Sequence, residues 1–318
     1  MSTAAKVPET WELTGDDARE TLLDTGRVRL LKDSFVRLRA ADGFSHSRSL
    51  AFVTSLVLVQ GLIAVVGFAA VFGDLRMSRE IIAAIDSAVP GPASQVLTDA
   101  VEQAREVGTK DRYLALIFGT LGTLITGMTA MGQIERGFNR LYGVERDRPT
   151  LRKYSRALLL AIGAGTCLAL AFLVFAIGRQ SETTGGFLRE TWPYARWPLG
   201  LAAATLALAA LLQWSPHRRQ PAWSWLFFGA VFCVAGWTIV TIALGAALQL
   251  SSSFGQAYGP LAGLVALQLW TLLSAIAIFY GAAVAAQLEA VRAGAPRPRV
   301  EPAQESAVQP RESTSYAS

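Results

Sequence analysis

The residues of this chain best suited to hold a ligand are arginines. Between Glu135 and Arg148 the sequence carries Arg136, Asn139, Arg140, Tyr142, Glu145, Arg146 and Arg148. A guanidinium presents a rigid fork of N–H donors that meets carboxylate or phosphate in parallel pairs, whereas a lysine ammonium is a point charge. Every basic residue of this segment is arginine. Two readings follow. Asn139, Arg140, Tyr142 and Arg148 contact a phosphate-bearing lipid or substrate, or the arginines pair with Glu135 and Glu145 and mark topology. Just upstream, Gly119, Thr123, Thr126, Ala130 and Gln133 recur at helical spacing, flanked by Gly122 and Gly127. A comparable face near the C-terminus holds Gly263, Trp270, Ser274, Ala277 and Gly281, with Gln268 close by. Small and hydroxylated residues let helices approach closely in lipid and hydrogen-bond to one another. Thr123, Thr126, Gln133, Gln268 and Ser274 are therefore candidates for a cavity wall, with ordinary helix packing as the alternative. Gln60 and Gln249 are further uncharged polar residues in apolar surroundings and need partners there.

Catalytic chemistry is poorly represented. Histidine occurs twice, at His46 and His217. There is no His-x-x-x-His, Cys-x-x-Cys, Gly-x-x-x-x-Gly-Lys or Gly-x-Ser-x-Gly, so neither a metal-ligand set, a phosphate loop nor a nucleophile elbow is present. The expectation is a protein that is not an enzyme and has no cofactor, catalytic residue or metal site. Cys167 and Cys233 fall in apolar runs and are expected to pack as small residues.

The elements that must position these residues are set by where charge is missing. No Asp, Glu, Lys or Arg occurs in 49–73, 113–134, 157–178, 197–217 or 220–288. At about 1.5 Å rise per residue, ~20 apolar residues cross the ~30 Å hydrocarbon layer. The last run has room for two crossings around the polar break Ser251-Ser252-Ser253-Phe254-Gly255-Gln256. Six transmembrane helices are expected, at 50–72, 113–132, 157–178, 197–214, 223–249 and 260–286. Isolated apolar runs must satisfy their own backbone in lipid, which selects helix, and the short alternating segments of a membrane β-barrel are missing. The fold class is all-α and polytopic. No span has a carboxylate, lysine or arginine near its middle, so a proton relay there has no support.

Of the 29 Lys and Arg residues, 21 fall on one side of this arrangement and eight on the other. The positive-inside rule then puts both termini in the cytoplasm, and the basic excess favours anionic headgroups over nucleic acid as the partner. A cleavable signal peptide is not expected, because residues 1–48 are polar and charged.

Three segments flank the membrane domain at 49–288. Residues 1–48 form a cytoplasmic segment, loose over 1–20, with a basic amphipathic helix at 22–39. There Leu22, Leu23, Val28, Leu30, Leu31, Phe35 and Leu38 interleave with Arg27, Arg29, Lys32, Arg37 and Arg39. Such a helix lies on the membrane surface or packs on the bundle. The 73–112 loop has two apolar stripes separated by Pro90-Gly91-Pro92, the pattern of a short external helical hairpin. Beyond Gly294, residues of the 289–318 tail lack apolar periodicity and are expected to be disordered.

Several segments together resemble the YihY/BrkB family of bacterial inner-membrane proteins. They are Ser47-Arg48-Ser49-Leu50-Ala51-Phe52, Phe138-Asn139-Arg140-Leu141-Tyr142 with Arg148, Phe228-Gly229-Ala230, Tyr258-Gly259-Pro260-Leu261-Ala262, and Leu269-Trp270 followed by Tyr280-Gly281-Ala282. The similarity covers about residues 38–290. Family members often have proline where this chain has Gln60-Gly61 and in place of Phe228. The resemblance implies a six-helix inner-membrane protein linked to envelope integrity and proposed to export lipid or other solutes. The old family label ribonuclease BN does not suit this chain, which lacks a histidine-rich motif to activate water on a metal. Two functions follow: a translocator of lipid or another envelope-related solute, or a non-transporting scaffold or envelope-homeostasis protein. The expected partners are membrane lipids, anionic ones included, and self-association into a homo-oligomer is left open.

Overall fold

The computed structural model describes residues 3–71, 76–145, 148–163, 187–251 and 257–300, together with 166 and 254. Its helices are α1 (Gly15–Thr25), α2 (Arg27–Ala40), α3 (Gly43–Val71), α4 (Arg76–Ala88), α5 (Pro92–Lys110) and α6 (Arg112–Leu141). They continue with α7 (150–163), α8 (Phe187–Trp214), α9 (Trp223–Leu250) and α10 (Ala262–Arg292). No strand forms among the described residues; one isolated bridge joins Ala4 to Arg299. Among the described residues five helices, within α3, α6, α8, α9 and α10, are long and apolar enough to cross a bilayer. The protein is an all-α polytopic membrane protein. The third expected span, 157–178, begins in α7; most of it, Cys167 included, lies outside the described residues.

The charge-free runs mark hydrocarbon thickness rather than helix length. The 29 residues of α3 extend about 43 Å at 1.5 Å each, more than the ~30 Å hydrocarbon layer. So α3 starts in polar sequence at Gly43, and α6 and α10 run on to Leu141 and Arg292.

Helix α10 is the centre. Of its most apolar window 44 % is buried, against 17–28 % in the other four, and it packs on α9, α3, α5, α2, α1 and α6. Helix α3 lies along α6, and α8 along α9. The α3–α6 crossing is close because glycine lines it from both sides. A Cβ on Gly67 would meet the backbone of Leu116, and one on Gly119 the backbone of Ala64. Outward from this pair, Phe52, Ile117, Phe118, Leu121 and Ile125 stay exposed, as residues facing lipid tails should.

Two apolar cores form. One, at the end where both termini lie, joins Leu30 and Leu38 of α2 with Leu50, Phe138, Leu141, Leu212, Trp225, Leu226, Phe279 and Leu288. The other joins the α4–α5 hairpin to the opposite end of the bundle through Ile81, Ile85, Leu97, Val101, Val66, Leu244, Leu267 and Trp270. The hairpin expected at Pro90-Gly91-Pro92 is present, and its tip sits against α9, with Pro90 near Gly245 and Gly91 near Leu248.

The N-terminal segment differs from expectation in two ways. The helix expected at 22–39 is broken at Gly26, which adopts φ 82°, a left-handed conformation open to glycine at little steric cost. Residues 22–25 therefore end α1, and α2 starts at Arg27. Nor are residues 3–14 loose. The Thr3 N–H donates to Ala40 O at 2.9 Å, Val7 N–H to Tyr142 O at 3.1 Å, and Ala222 N–H to Leu13 O at 3.2 Å. Residues 295–300 also depart from the disorder expected there: Val300 N–H donates to Thr3 O at 2.8 Å and Ala5 N–H to Pro298 O at 3.2 Å. Sequence composition missed both because the stabilising groups are backbone amides and carbonyls, which no side-chain pattern reveals. The remaining tail, 301–318, lies outside the described residues.

Candidate functional site

The candidate residues do not converge; the structure divides them between the membrane interior and the terminal end. In the interior, Thr123 Oγ1 donates to Gly119 O of its own helix at 2.7 Å. Thr126 Oγ1 lies 2.8 Å from Gln60 Oε1 of α3 and 2.7 Å from Gly122 O. On the other flank of α3, Ser55 Oγ donates to Gln268 Oε1 of α10 at 3.3 Å. Gln133 is half-buried. The Ser274 hydroxyl is buried with no partner among the described residues. From the same face of α10, Gly281 packs against Cys233 of α9.

At the terminal end Asn139, Tyr142 and Arg148 fasten the end of α6 to the loop between α8 and α9. Asn139 Oδ1 accepts the His217 N–H at 2.7 Å. Arg148 donates to Ser215 O at 2.8 Å and Pro216 O at 2.7 Å. Its Nη1 also lies 2.9 Å from Glu135 Oε1. This is a buried charge contact; no aligned hydrogen bond to the Glu135 oxygens is seen among the described residues. Burial pushes the Arg148 guanidinium below its ordinary range, and Glu135 opposes the shift. Arg140 closes its own helix, with Nη1 donating to Val144 O at 3.1 Å and Glu145 O at 2.7 Å.

Beneath these residues lies a buried knot that sequence reasoning missed. Arg218 pairs with Glu289 at 2.6 and 3.1 Å and stacks 4.5 Å from the centroid of Tyr142. Thr10 Oγ1 donates to the same carboxylate at 2.7 Å. Arg37 is fully buried. It donates Nε to Gln287 Oε1 at 2.7 Å and Nη1 to Ala5 O and Leu141 O at 2.9 and 3.1 Å. Burial brings Arg37 down to about 10, against the opposing fields of Tyr142 and Glu289. Burial likewise raises the Tyr142 phenol above its ordinary value, so the phenol stays neutral. A buried charge is tolerable only when paired or fully hydrogen-bonded, and Arg37 and Glu289 meet that need by opposite routes. One available signal was position: Glu289 is the first charge after the 69-residue charge-free run, and Arg218 the second-to-last before it.

Finally, Arg140 also borders an open cavity of about 370 Å³ lined by Thr3, Arg39, Ala40, Ala41, Asp42 and His46.

Comparison with known proteins accords with this architecture. Residues 34–306 match the family described as Virulence factor BrkB. The chain is 25 % identical over 269 residues to the ribonuclease-like protein YfkH of Bacillus subtilis, covering 82 % of this chain and 95 % of that protein. It is 27 % identical over 280 residues to the UPF0761 membrane protein azo3165 of Azoarcus sp., covering 83 % of this chain and 63 % of that one. For the UPF0761 membrane protein XCC0860 of Xanthomonas campestris the figures are 25 % over 259 residues, 78 % of this chain and 58 % of the relative. The chain thus spans about three fifths of the length of the UPF0761 relatives and nearly all of YfkH. No solved structure matches it. A family match that covers residues 34–306 makes the chain a member of the virulence factor BrkB family.

Proposed function

We propose that this protein moves a lipid or another envelope-related solute across the bacterial inner membrane, with both termini in the cytoplasm and no catalytic role. The observation that carries the reading is Ser274. Its hydroxyl is buried in the central helix with no partner among the described residues, and a buried polar group in that condition calls for water or a ligand. Gln268 of the same helix and Gln133 of α6 supply further polar side chains. Thr123 and Thr126 add further hydroxyls along the α3–α6 seam, and the terminal end supplies the arginine-rich mouth. The 21-to-eight basic asymmetry supports the orientation, and membrane lipids are the partners, anionic ones favoured; a homo-oligomer is compatible with this reading. Reporter fusions at Ser318 and within 90–95 should give opposite sides. The direct test is transfer of a fluorescent phospholipid between leaflets of vesicles containing the purified protein. Transfer above that of protein-free vesicles, reduced by Ser274→Leu, is expected; transfer equal to protein-free vesicles overturns the reading.

A second reading, a non-transporting scaffold, is favoured by a different observation. Thr126 meets Gln60, and Ser55 meets Gln268, so several of the interior polar residues bind helix to helix. On that reading the same variants weaken the fold and no vesicle assay detects transfer.

A further inference from the structure

The cavity beside Arg140 is lined by charged and polar side chains from several segments of the chain. Arg39 and Arg140 border it from different helices, with His46 of the first turn of α3 between them and Thr3 from the N-terminal segment. The Arg39 guanidinium is exposed, and it makes no hydrogen bond or ion pair among the described residues. Arg140 is held in place by its two carbonyl contacts through Nη1, and no hydrogen bond of its Nη2 or Nε is seen among the described residues. The His46 ring is seated against Phe279 at 6.3 Å between centroids. The one carboxylate on the lining is Asp42, whose backbone sits at φ 55°. It forms no ion pair with Arg39 or Arg140 among the described residues, so the lining carries a net charge of about +1 with a neutral histidine.

The depth of the cavity narrows the ligand. His46 lies three residues before the first charge-free run, and Arg140 six residues after the second. At about 1.5 Å per residue both stand within ~10 Å of the hydrocarbon edge, the depth of lipid headgroups. Trp214, the last residue of α8, and Trp223, the first of α9, stack edge to face at 5.4 Å and are half-exposed at this same end, as interfacial tryptophans are.

We propose that the cavity bounded by Arg39, His46 and Arg140 binds a phosphate-bearing group, supplied in the membrane by an anionic phospholipid headgroup. A phosphodiester carries one negative charge, which matches the lining, and its oxygens accept from guanidinium donors in parallel pairs. The choice of a lipid as the source rests on the lipid-handling reading above; the phosphate chemistry does not.

The test is native mass spectrometry of the full-length protein, extracted in the presence of equal amounts of phosphatidylglycerol and phosphatidylcholine. The wild type should retain phosphatidylglycerol in preference, and Arg39→Gln should cut that preference about tenfold, equivalent to ~1.4 kcal/mol. Arg27→Gln removes the same charge from exposed α2 surface and should leave the preference unchanged. Equal loss in the two variants, or no loss in either, overturns the site in favour of a diffuse surface charge. The Arg39 side chain is exposed and makes no hydrogen bond or ion pair among the described residues, so its replacement should leave the fold intact; Arg140→Gln serves as a second variant. Millimolar inorganic phosphate that displaces the lipid identifies a soluble phosphate as a competing source and supports the site; lipid retained against phosphate identifies the headgroup. A protein that keeps the preference but fails to transfer lipid between leaflets loses the transport reading alone. One in which Arg39→Gln and Arg27→Gln lose the preference equally while transfer persists loses the site alone.

Discussion

The terminal-end core and the hairpin-end core are built on different physics. At the hairpin end, Ile81, Ile85, Leu97 and Val101 meet Val66, Leu244 and Leu267, and the α3–α6 crossing nearby closes on glycine. Apolar shape does the work there. At the terminal end the last turns of α10 are almost completely enclosed, with every residue from Gly281 to Ala290 buried. Enclosure there includes Gln287 and Glu289, so it must be satisfied by partners: Arg37, Arg218 and Thr10. The contrast shows one end of the bundle held by apolar packing and the other by ionic and hydrogen-bonded ties.

The largest expected effect breaks the contrast at its polar side. Glu289→Ala leaves Arg218 buried without its carboxylate and should cost about 3–5 kcal/mol. Unfolding in detergent measures it. Replacing both partners, as Arg218→Met with Glu289→Leu, should recover much of the loss; if the double variant is as unstable as the sum of the singles, the two residues do not act as a pair.

At the packed side, Gly119→Val forces a side chain into the Ala64 backbone and should cost about 1–3 kcal/mol. The same detergent unfolding reads it, and disulfide trapping between α3 and α6 should show the helices spread. An unchanged crossing would mean that glycine is not what sets their distance. Thr126→Val tests the polar seam within that crossing. It removes the contact to Gln60 and should cost only about 0.6 kcal/mol. A loss as large as that of Glu289→Ala would erase the distinction between the two regions.

The smallest effect lies at the outermost tie. Asp17 accepts from the Thr14 N–H at 2.9 Å and pairs with Arg292 at 2.9 Å. Those bonds, the one to Thr14 backbone foremost, hold its carboxyl below the ordinary value of 3.8. A depressed carboxylate stabilises the folded form above its unfolded value, and the stabilisation disappears as pH falls through the folded one. Amide exchange in α1 should therefore quicken below about pH 4, before the bundle responds. Protection of α1 unchanged at that pH would show that its docking on α9 and α10 needs no charge.

How far the sequence could be read follows the same division. Five of the six expected spans were legible because a missing charge is a local property, visible at Arg48 and Asp74 or at Arg112 and Glu135 without knowing the fold. The hairpin was legible because Pro90-Gly91-Pro92 separates two stripes of helical period. The pairing of Glu135 with Arg148 was one of two readings open in the sequence, and their contact in the structure is a charge contact within one short segment. The knot was not legible. Arg218 and Glu289 stand 71 residues apart, and Arg37 and Gln287 stand 250 apart; which side chains meet across such distances depends on helix rotation and depth. Gly26 was read as part of a helix because the residues on either side share amphipathic spacing, and only its positive φ marks the break.

The crossing of the two chain ends has a consequence for the timing of synthesis. Thr10 is bonded to Glu289, 279 residues later in the chain, and Thr3 to Val300. At about 5–20 residues per second, a ribosome takes roughly 15–55 s to deliver the partner of Thr10. Throughout that interval the segment can reach Ala40 and then Tyr142, but the carboxylate that Thr10 binds does not yet exist. The terminal end therefore closes fully only after α10 has been made.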